Sequence, residues 1–405
     1  MRLKMESISR AIVPPEGSYF LFGPRGTGKS SWLRAAYPDA FWVDLLEPEL
    51  LQRYSARPSS LAEELEGDKR VRTVVIDEVQ RAPDLLSVVH ALRERRRSLR
   101  FVLTGSSARK LKRTGVDLLG GRASVATLHP FMACELGSRF ELSAALRTGL
   151  LPLVLGAEDS RATLRGYQAL YLKEEVQQEG LVRNLGAFAR FLEALSFSHA
   201  SVLNISNVAR ECTVERKTVE SFVQVTEDLL LGTRVPVFTR RAKRALVAHP
   251  KFYFFDAGVF RSIRPTGPLD PATEIDGAAL EGLVFQHLRA WNAYRGERNQ
   301  LCYWRTRHGV EVDFVLYGPD GFFAIEVKNA RRVDPADVQP LREFQSDFPA
   351  AHVLLLHRGE RRLNVNGVNC APCDEFLAKL TPKRSAPFGG HVAVGVLFED
   401  RELAA

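Results

Sequence analysis

The chain has 405 residues, 45% of them hydrophobic, with 56 lysines and arginines against 48 aspartates and glutamates, a formal charge of +8. That length predicts two or three domains, and the ordinary apolar fraction excludes global disorder. No stretch approaches the roughly 20 apolar residues of a membrane span; residues 1–10 lack the apolar core of a signal peptide; and five scattered cysteines (Cys134, Cys212, Cys302, Cys370, Cys373) exclude a disulfide scaffold. The expectation is a cytoplasmic protein with no membrane partner.

Of the 56 basic residues, 44 are arginine and 12 lysine. Coding bias accounts for such a ratio, and so does phosphate contact, because the guanidinium forks onto phosphate oxygens. The net charge is +7 over residues 1–150, +4 over 151–265 and −3 over 266–405. A nucleic-acid footprint is therefore expected in the first two segments.

In chain order, strand-like runs at Ser18–Phe22, Phe41–Val43, Thr73–Ile76, Phe101–Leu103 and Ala123–Leu128 alternate with helical patterns such as Ser30–Ala36 and Asp84–Arg97. That alternation predicts a parallel α/β sheet in a first domain over residues 1–140. Between the first strand and the first helix, Gly23-Pro24-Arg25-Gly26-Thr27-Gly28-Lys29-Ser30 matches G-x-x-x-x-G-K-[ST], with Ser31 following. Its glycines let backbone N–H groups wrap phosphates, and the helix N-terminus adds a positive dipole. Lys29 is expected to bridge the β- and γ-phosphates of ATP, and Ser30 to coordinate Mg²⁺. The apolar run Val74–Ile76 then delivers Asp77 to the Mg²⁺ and Glu78 to the attacking water, which points to hydrolysis rather than binding alone. On the next strand, Thr104 or Ser106 would report the γ-phosphate. Arg122, after Leu119-Gly120-Gly121, is a candidate sensor or a finger acting in a neighbouring subunit; the second role requires a homo-oligomer.

Residues 141–261 read as helical, with helices at Ala187–Phe197, Ile205–Cys212 and Arg216–Leu231, followed by β-like runs at Val235–Phe238 and Phe252–Phe255. That order predicts a winged helix. Between His90 and Arg122, ten basic residues are opposed only by Glu94 and Asp117. Between Leu229 and Phe255, Arg234, Arg240, Arg241, Lys243, Arg244 and Lys251 meet no acid. Arg216 and Lys217 on the recognition helix, and Arg240, Arg241, Lys243 and Arg244 on the wing, are the candidate DNA contacts. The competing expectation is a wing that is merely solvated.

Residues 262–276 read as a Pro/Gly/Asp-rich linker. A second α/β domain over 277–380 is expected from a helix at Ala278–Trp291, strands at Leu301–Arg305, Val310–Tyr317, Phe322–Val327 and His352–Leu356, and a helix at Pro335–Phe348; residues 381–405 form a tail. Asp313 and Glu326-Val327-Lys328 flank the turn Gly318–Gly321. On a hairpin the two carboxylates converge and would hold Mg²⁺ or Mn²⁺. Lys328 would orient a water nucleophile, and Glu281 on the preceding helix would add a further acid. The alternative is a salt-bridged strand pair without chemistry. Cys370-x-x-Cys373 lacks the second pair that a zinc ribbon needs, so both read as ordinary thiols.

Taken together, GPRGTGKS, VVIDEVQRAPDLL, LTGSSARKL, LLGGRASVATLHPF, FFDAGV, LEGLVFQHL, EVDFVL and AIEVKNA resemble prokaryotic AAA-type ATPases that carry a C-terminal domain of unknown function with a restriction-endonuclease-like core. The resemblance covers about residues 18–330. It implies an AAA-type ATPase domain, a winged helix and a nuclease-like domain, and Asp313, Glu326 and Lys328 resemble the core of PD-(D/E)XK nucleases. The family often has a second arginine where this chain has Gly26. The function implied is Mg²⁺-dependent ATP hydrolysis by a protein that acts on DNA, with a metal-dependent nuclease at its C-terminal end. The rival is an ATP-driven switch or DNA remodeller whose C-terminal domain is a non-catalytic scaffold.

Overall fold

The structure is a computed structural model that describes residues 8–106, 123–171, 176, 184–240, 249–384 and 387. Strands β1 (Tyr19–Phe22), β2 (Phe41–Asp44), β3 (Thr73–Asp77), β4 (Arg100–Gly105) and β5 (Ser124–Thr127) form one parallel sheet in the order β2-β3-β4-β1-β5. Because helices cover both faces, the central strands read as near-continuous apolar runs. Phe20, Val74, Ile76 and Leu103 feed one core and Tyr19, Leu21, Val75 and Val102 the other, as the two-residue period requires. The helices are α1 (Lys29–Ala36), α2 (Pro48–Ala56), α3 (Ser60–Gly67) and α4 (Leu85–Arg95). Helix α2 is mostly solvated, with Tyr54 its one buried residue, whereas α3 buries Ser60, Leu61 and Leu65; neither was expected from the sequence pattern.

Next come the short helices α5 (Ala133–Leu136), α6 (Leu142–Thr148), α7 (Pro152–Leu155) and α8 (Ser160–Gly166). Then follow α9 (Leu185–Ser196), β6 (Ser201–Val202), α10 (Ile205–Cys212), α11 (Arg216–Asp228), β7 (Gly232–Val235), β8 (Lys251–Phe254) and α12 (Ala257–Ile263). Strand β8 lies between β6 and β7, antiparallel to both.

The C-terminal region opens with α13 (Ala272–Tyr294), 23 residues and about 34 Å long. Strands β9 (Gln300–Arg305), β10 (Glu311–Gly318), β11 (Gly321–Lys328), β12 (His352–His357), β13 (Leu363–Val365) and β14 (Val368–Pro372) form a mixed, mostly antiparallel sheet ordered β13-β14-β12-β11-β10-β9. Helices α14 (Gln339–Asp347) and α15 (Cys373–Lys379) complete it.

Two features depart from a chain of separate modules. Helix α13 starts at Ala272, inside the segment read as linker, and is buried on most sides; Leu283, Val284 and Trp291 share one apolar core with Phe191, Phe222 and Phe260 of the middle region. A helix apolar all round belongs inside a body rather than on its surface. Beyond β7, the chain also runs along the edge of β9: Phe238 donates its N–H to the Tyr303 carbonyl (2.7 Å), and the Tyr303 N–H reaches the Pro236 carbonyl (3.0 Å). Phe238 then sits among Tyr317, Phe322 and Phe348. The middle region thus covers an edge strand that would otherwise present unpaired backbone groups.

Candidate functional site

Strand order places β4 between β1 and β3, so the carboxyl ends of all three strands meet along one edge of the first sheet, where α/β folds bind ligands. Gly26 and Gly28 both have φ of +84°, which curls the loop and aims N–H groups inward. Gly28 caps α1 without a side-chain acceptor for the helix's first N–H groups, leaving donors suited to an anion. Lys29 is buried, and its ammonium donates to the Gly23 carbonyl at 2.8 Å. Thr27 Oγ1 donates to the Pro24 carbonyl at 2.8 Å, which closes the loop on itself.

Opposite the loop, Asp77 ends β3 and is 1% exposed. Its Oδ1 accepts the Thr104 hydroxyl, while its buried Oδ2 has no hydrogen-bond partner among the described residues. A buried carboxylate oxygen without a donor suits a cation. Glu78 sits in the left-handed region at φ 58°, ψ 46°, a strain of about 1–3 kcal/mol that is typical of functional sites. The Glu78 N–H donates to Thr104 Oγ1 at 3.0 Å. Thr104 therefore bridges the two acids, whereas Ser106 faces Gln80. Ser31 is exposed on α1. Arg122 lies outside the described residues.

Gln80 escaped the sequence reading. Its buried amide donates to Glu78 Oε2 and, at 3.4 Å, to Ser106 Oγ, so it holds the Glu78 carboxylate in place. Arg10 escaped it as well. Its guanidinium donates to the Thr27 carbonyl (3.0 Å), the His129 carbonyl, Glu135 Oε1 (3.1 Å) and Tyr294 OH (3.3 Å), and it lies over the Phe131 ring. Three successive P-loop carbonyls are tied to residues far along the chain or before the loop: Arg25 to Tyr167 OH (3.1 Å), Gly26 to the Leu153 N–H (3.2 Å) and Thr27 to Arg10.

The second site is the carboxylate group of the C-terminal region. β10 and β11 pair as an antiparallel hairpin with Phe314 opposite Ile325 and Gly318 opposite Gly321, which sets Asp313 beside Glu326. Asp313 Oδ2 accepts the Val327 N–H at 2.9 Å, and Lys328 Nζ lies 2.8 Å from Glu326 Oε1. Glu281 projects from α13 into the same group, as expected. The unexpected member is Lys251 on β8, the last residue of the basic run that meets no acid in sequence. Its side chain is 1% exposed, and Nζ lies 2.9 Å from Glu281 Oε1, 3.0 Å from Asp313 Oδ1, and in contact with Glu311. Tyr253, two residues on and facing the same way, donates to Glu281 Oε1 at 2.5 Å.

Burial pulls the Lys251 pKa down, but the charges of Glu281, Asp313 and Glu311 outweigh it and hold the amine protonated. Burial, then the charge of Asp313, pushes both Glu281 and Glu326 up. As arranged, the residues do not fit a metal ion. The ammonium sits between the carboxylates at hydrogen-bond distances, and among the described residues no three metal-binding side chains gather around one point.

Of the proposed DNA contacts, Arg216 pairs with Glu220 at 3.0 Å, and Lys217 is exposed on α11. Arg240 lies over the Tyr317 ring at 4.9 Å. Arg241, Lys243 and Arg244 lie outside the described residues. The acid-free run is not free of acids in space: Arg234 is bound by Glu227 and Lys251 by the C-terminal carboxylates.

The sheet order and the P-loop at its edge are those of an AAA-type P-loop domain. Residues 16–137 match the family model of an AAA domain, residues 139–270 a domain of unknown function (DUF8612), and residues 276–376 a domain of unknown function (DUF4143). Uncharacterized proteins of Mycobacterium bovis and Mycobacterium tuberculosis are each 27% identical over 314 residues, which is 75% of this chain and 69% of theirs. Among solved structures, the replication initiator DnaA bound to AMPPCP and single-stranded DNA aligns with a TM-score of 0.24 at 13% identity, over 55% of this chain and 84% of that one. A protein of Vibrio cholerae aligns with a TM-score of 0.22 at 10% identity, over 91% and 97%. At these scores neither likeness bears on the fold. No helix among the described residues is long and apolar enough to cross a membrane.

Proposed function

We propose that the chain is a Mg²⁺-dependent ATP hydrolase that acts on DNA, and that its C-terminal carboxylate group is an ion-pair lock rather than an open nuclease site. The observation that carries the first part is the Asp77–Thr104–Glu78 constellation at the same sheet edge as the P-loop. Lys29 would leave the Gly23 carbonyl for the β- and γ-phosphates. Ser30 and Asp77 would hold Mg²⁺, which offsets charge on the phosphates. Glu78, positioned by Gln80, would orient the attacking water. A change in loop shape on phosphate binding would act on Leu153, Tyr167 and Arg10 through the carbonyls of Arg25, Gly26 and Thr27. Turnover is thereby coupled to the middle and C-terminal regions. Arg122 acting from a neighbouring subunit would make the working unit a homo-oligomer.

DNA is the partner suited to the basic surfaces. The order α9-β6-α10-α11-β7-β8 is that of a winged helix and supports this reading. With Lys251 buried among acids and Arg234 held by Glu227, phosphate contact falls to Lys217, Arg240, Arg241, Lys243 and Arg244, and to Arg216 once it leaves its exposed pair with Glu220. The nuclease alternative is disfavoured by the Lys251 ammonium lodged against Asp313 and Glu281.

The test uses the full chain with Mg²⁺ or Mn²⁺ and duplex or single-stranded DNA, with and without ATP, beside Glu78→Gln and Asp313→Ala. The expected result is phosphate release that needs Mg²⁺, rises with DNA and is lost in Glu78→Gln, with the DNA intact throughout. Absence of turnover overturns the hydrolase reading. DNA cut by the wild type but not by Asp313→Ala overturns the lock, and absence of DNA binding removes DNA as the partner.

A further inference from the structure

We propose that Tyr167 and Asp256 are positioning residues of the nucleotide site: from the end of β8 they hold the P-loop backbone in the shape that binds phosphate, so that ATP affinity is set in the middle region. The inference rests on reading the P-loop as the ATP site, and it adds which residues outside the first domain make that loop fit.

The motif FFDAGV, residues 254–259, takes no part in the nucleotide chemistry, yet its aspartate is fully buried. Asp256 Oδ1 accepts the Gly258 and Val259 N–H groups at 2.9 and 3.0 Å and so caps α12, which leaves Oδ2 for the Leu150 N–H at 2.8 Å. Leu150 lies in the turn between α6 and α7. The fit is close: a Cβ on Gly149 would overlap the Asp256 carboxylate, and one on Gly258 would overlap the Thr148 carbonyl. From this anchor the chain runs against the P-loop. The Leu153 N–H reaches the Gly26 carbonyl at 3.2 Å, and carbons of Leu151 and Leu153 lie 3.1–3.3 Å from where a Cβ on Gly26 would stand. Tyr167 is the second arm. Its ring leans on Phe255 at 6.4 Å, and its hydroxyl donates to the Arg25 carbonyl at 3.1 Å. Both arms therefore start from Phe255 and Asp256, the two residues that follow β8.

Peptide geometry says what the arms do. In a trans peptide the carbonyl and the N–H of the next residue point in opposite directions. Tying the Arg25 and Gly26 oxygens back to the middle region turns the Gly26 and Thr27 N–H groups the other way, into the loop. The Thr27 N–H meets only the Pro24 carbonyl there, at a long 3.3 Å, and is open to a better acceptor. Donors already aimed at an anion need no reorganisation when it arrives, and that saving appears as affinity. The contribution is the same for bound substrate and transition state, so it raises KM when lost and leaves kcat nearly unchanged.

The experiment compares full chains of the wild type, Tyr167→Phe and Asp256→Asn. Tyr167→Phe keeps the ring on Phe255 and removes only the bond to Arg25. Asp256→Asn keeps one oxygen for the two N–H groups of the α12 cap and turns an NH₂ on the Leu150 N–H. Binding of ADP with Mg²⁺ is measured by calorimetry, ATP turnover by phosphate release, and Tm without nucleotide by thermal unfolding. The expected result is ADP binding weakened about threefold to tenfold in each variant, with KM for ATP raised by a similar factor and kcat within about twofold of the wild type. A lower Tm with ADP binding and KM unchanged means that the arms only hold the regions together, and it overturns the proposal. Should Asp256→Asn not fold, Tyr167→Phe alone decides by the same criteria. A wild type that binds ADP without hydrolysing ATP sinks the hydrolase reading and leaves the affinity comparison standing; a wild type that binds no ADP overturns both.

Discussion

One histidine on α13 and two packed against it make acid stability a sharp test of the packing where the regions meet. His199 is buried, stacked on Phe260 at 3.9 Å, and its Nδ1 accepts the Phe254 N–H at 3.0 Å. A Cβ on Gly282 of α13 would meet His199 Nε2 at 2.3 Å, so the ring is pressed against that helix. His287 accepts the Ala133 N–H at 2.9 Å, and His129 meets Tyr294 edge-on. Burial lowers the His199 pKa to about 3 and that of His287 to about 4, and it holds His129 well below the ordinary value. The unfolded chain takes up a proton at each histidine near pH 6.5, whereas the folded chain does not. Each contribution is therefore complete above pH 6.5 and is lost as pH falls toward the folded value. The slope is about 1.4 kcal/mol per pH unit, so His199 alone removes about 2 kcal/mol between pH 7 and pH 5. Glu281 and Glu326 act oppositely. Their folded pKa values are raised, so they stabilise the fold as pH falls through the same window. The wild-type curve mixes both, and comparison with His199→Gln separates them. Urea unfolding followed by the fluorescence of buried Trp291 and Trp304 should show a stability gap at pH 7, from the lost stack on Phe260, that narrows by about 2 kcal/mol at pH 5. A gap that stays constant with pH would refute the claim that the folded protein keeps His199 neutral.

Arg10→Met should lower stability by about 3–5 kcal/mol in urea titrations, because Glu135 is left in a buried place without its partner. Adding Glu135→Gln should recover part of that loss. Gln80→Ala should lower the kcat of ATP hydrolysis about tenfold and leave KM nearly unchanged, since it releases the Glu78 carboxylate without touching the phosphate loop. Glutamates at Arg240, Arg241, Lys243 and Arg244 should weaken DNA binding and flatten its salt dependence by about 0.9 in log–log slope per lost phosphate contact. Arg234→Ala, which removes a side chain already bound to Glu227, should leave that slope unchanged.

The sequence disclosed what depends on spacing along one element. The P-loop, the Asp77-Glu78 pair and the hairpin that sets Asp313 beside Glu326 are local patterns, and each lies where its spacing put it. Lys251 belongs in sequence to a run of basic residues without an acid, whereas its neighbours in space are acidic. The signal was present in Lys251-Phe252-Tyr253-Phe254-Phe255: a lysine opening an apolar strand, with tyrosine two positions on, shares a buried face with that hydroxyl. Helix α13 begins six residues before its apolar pattern does, since its first turns, Ala272–Gly277, follow Pro271 with few core contacts. Arg10 offered no signal. Its partners lie 17, 119, 125 and 284 residues away, and no periodicity reports such a junction.

That junction has a consequence for how the chain is made. Tyr294 leaves the ribosome 284 residues after Arg10, a wait of roughly 15–60 s at ordinary synthesis rates. During that time the P-loop sheet can pair its strands, but the guanidinium beneath the loop lacks its last partner, and the His129 N–H lacks the same hydroxyl as acceptor. The sheet that carries the P-loop is synthesised well before the helix residue that completes its underside.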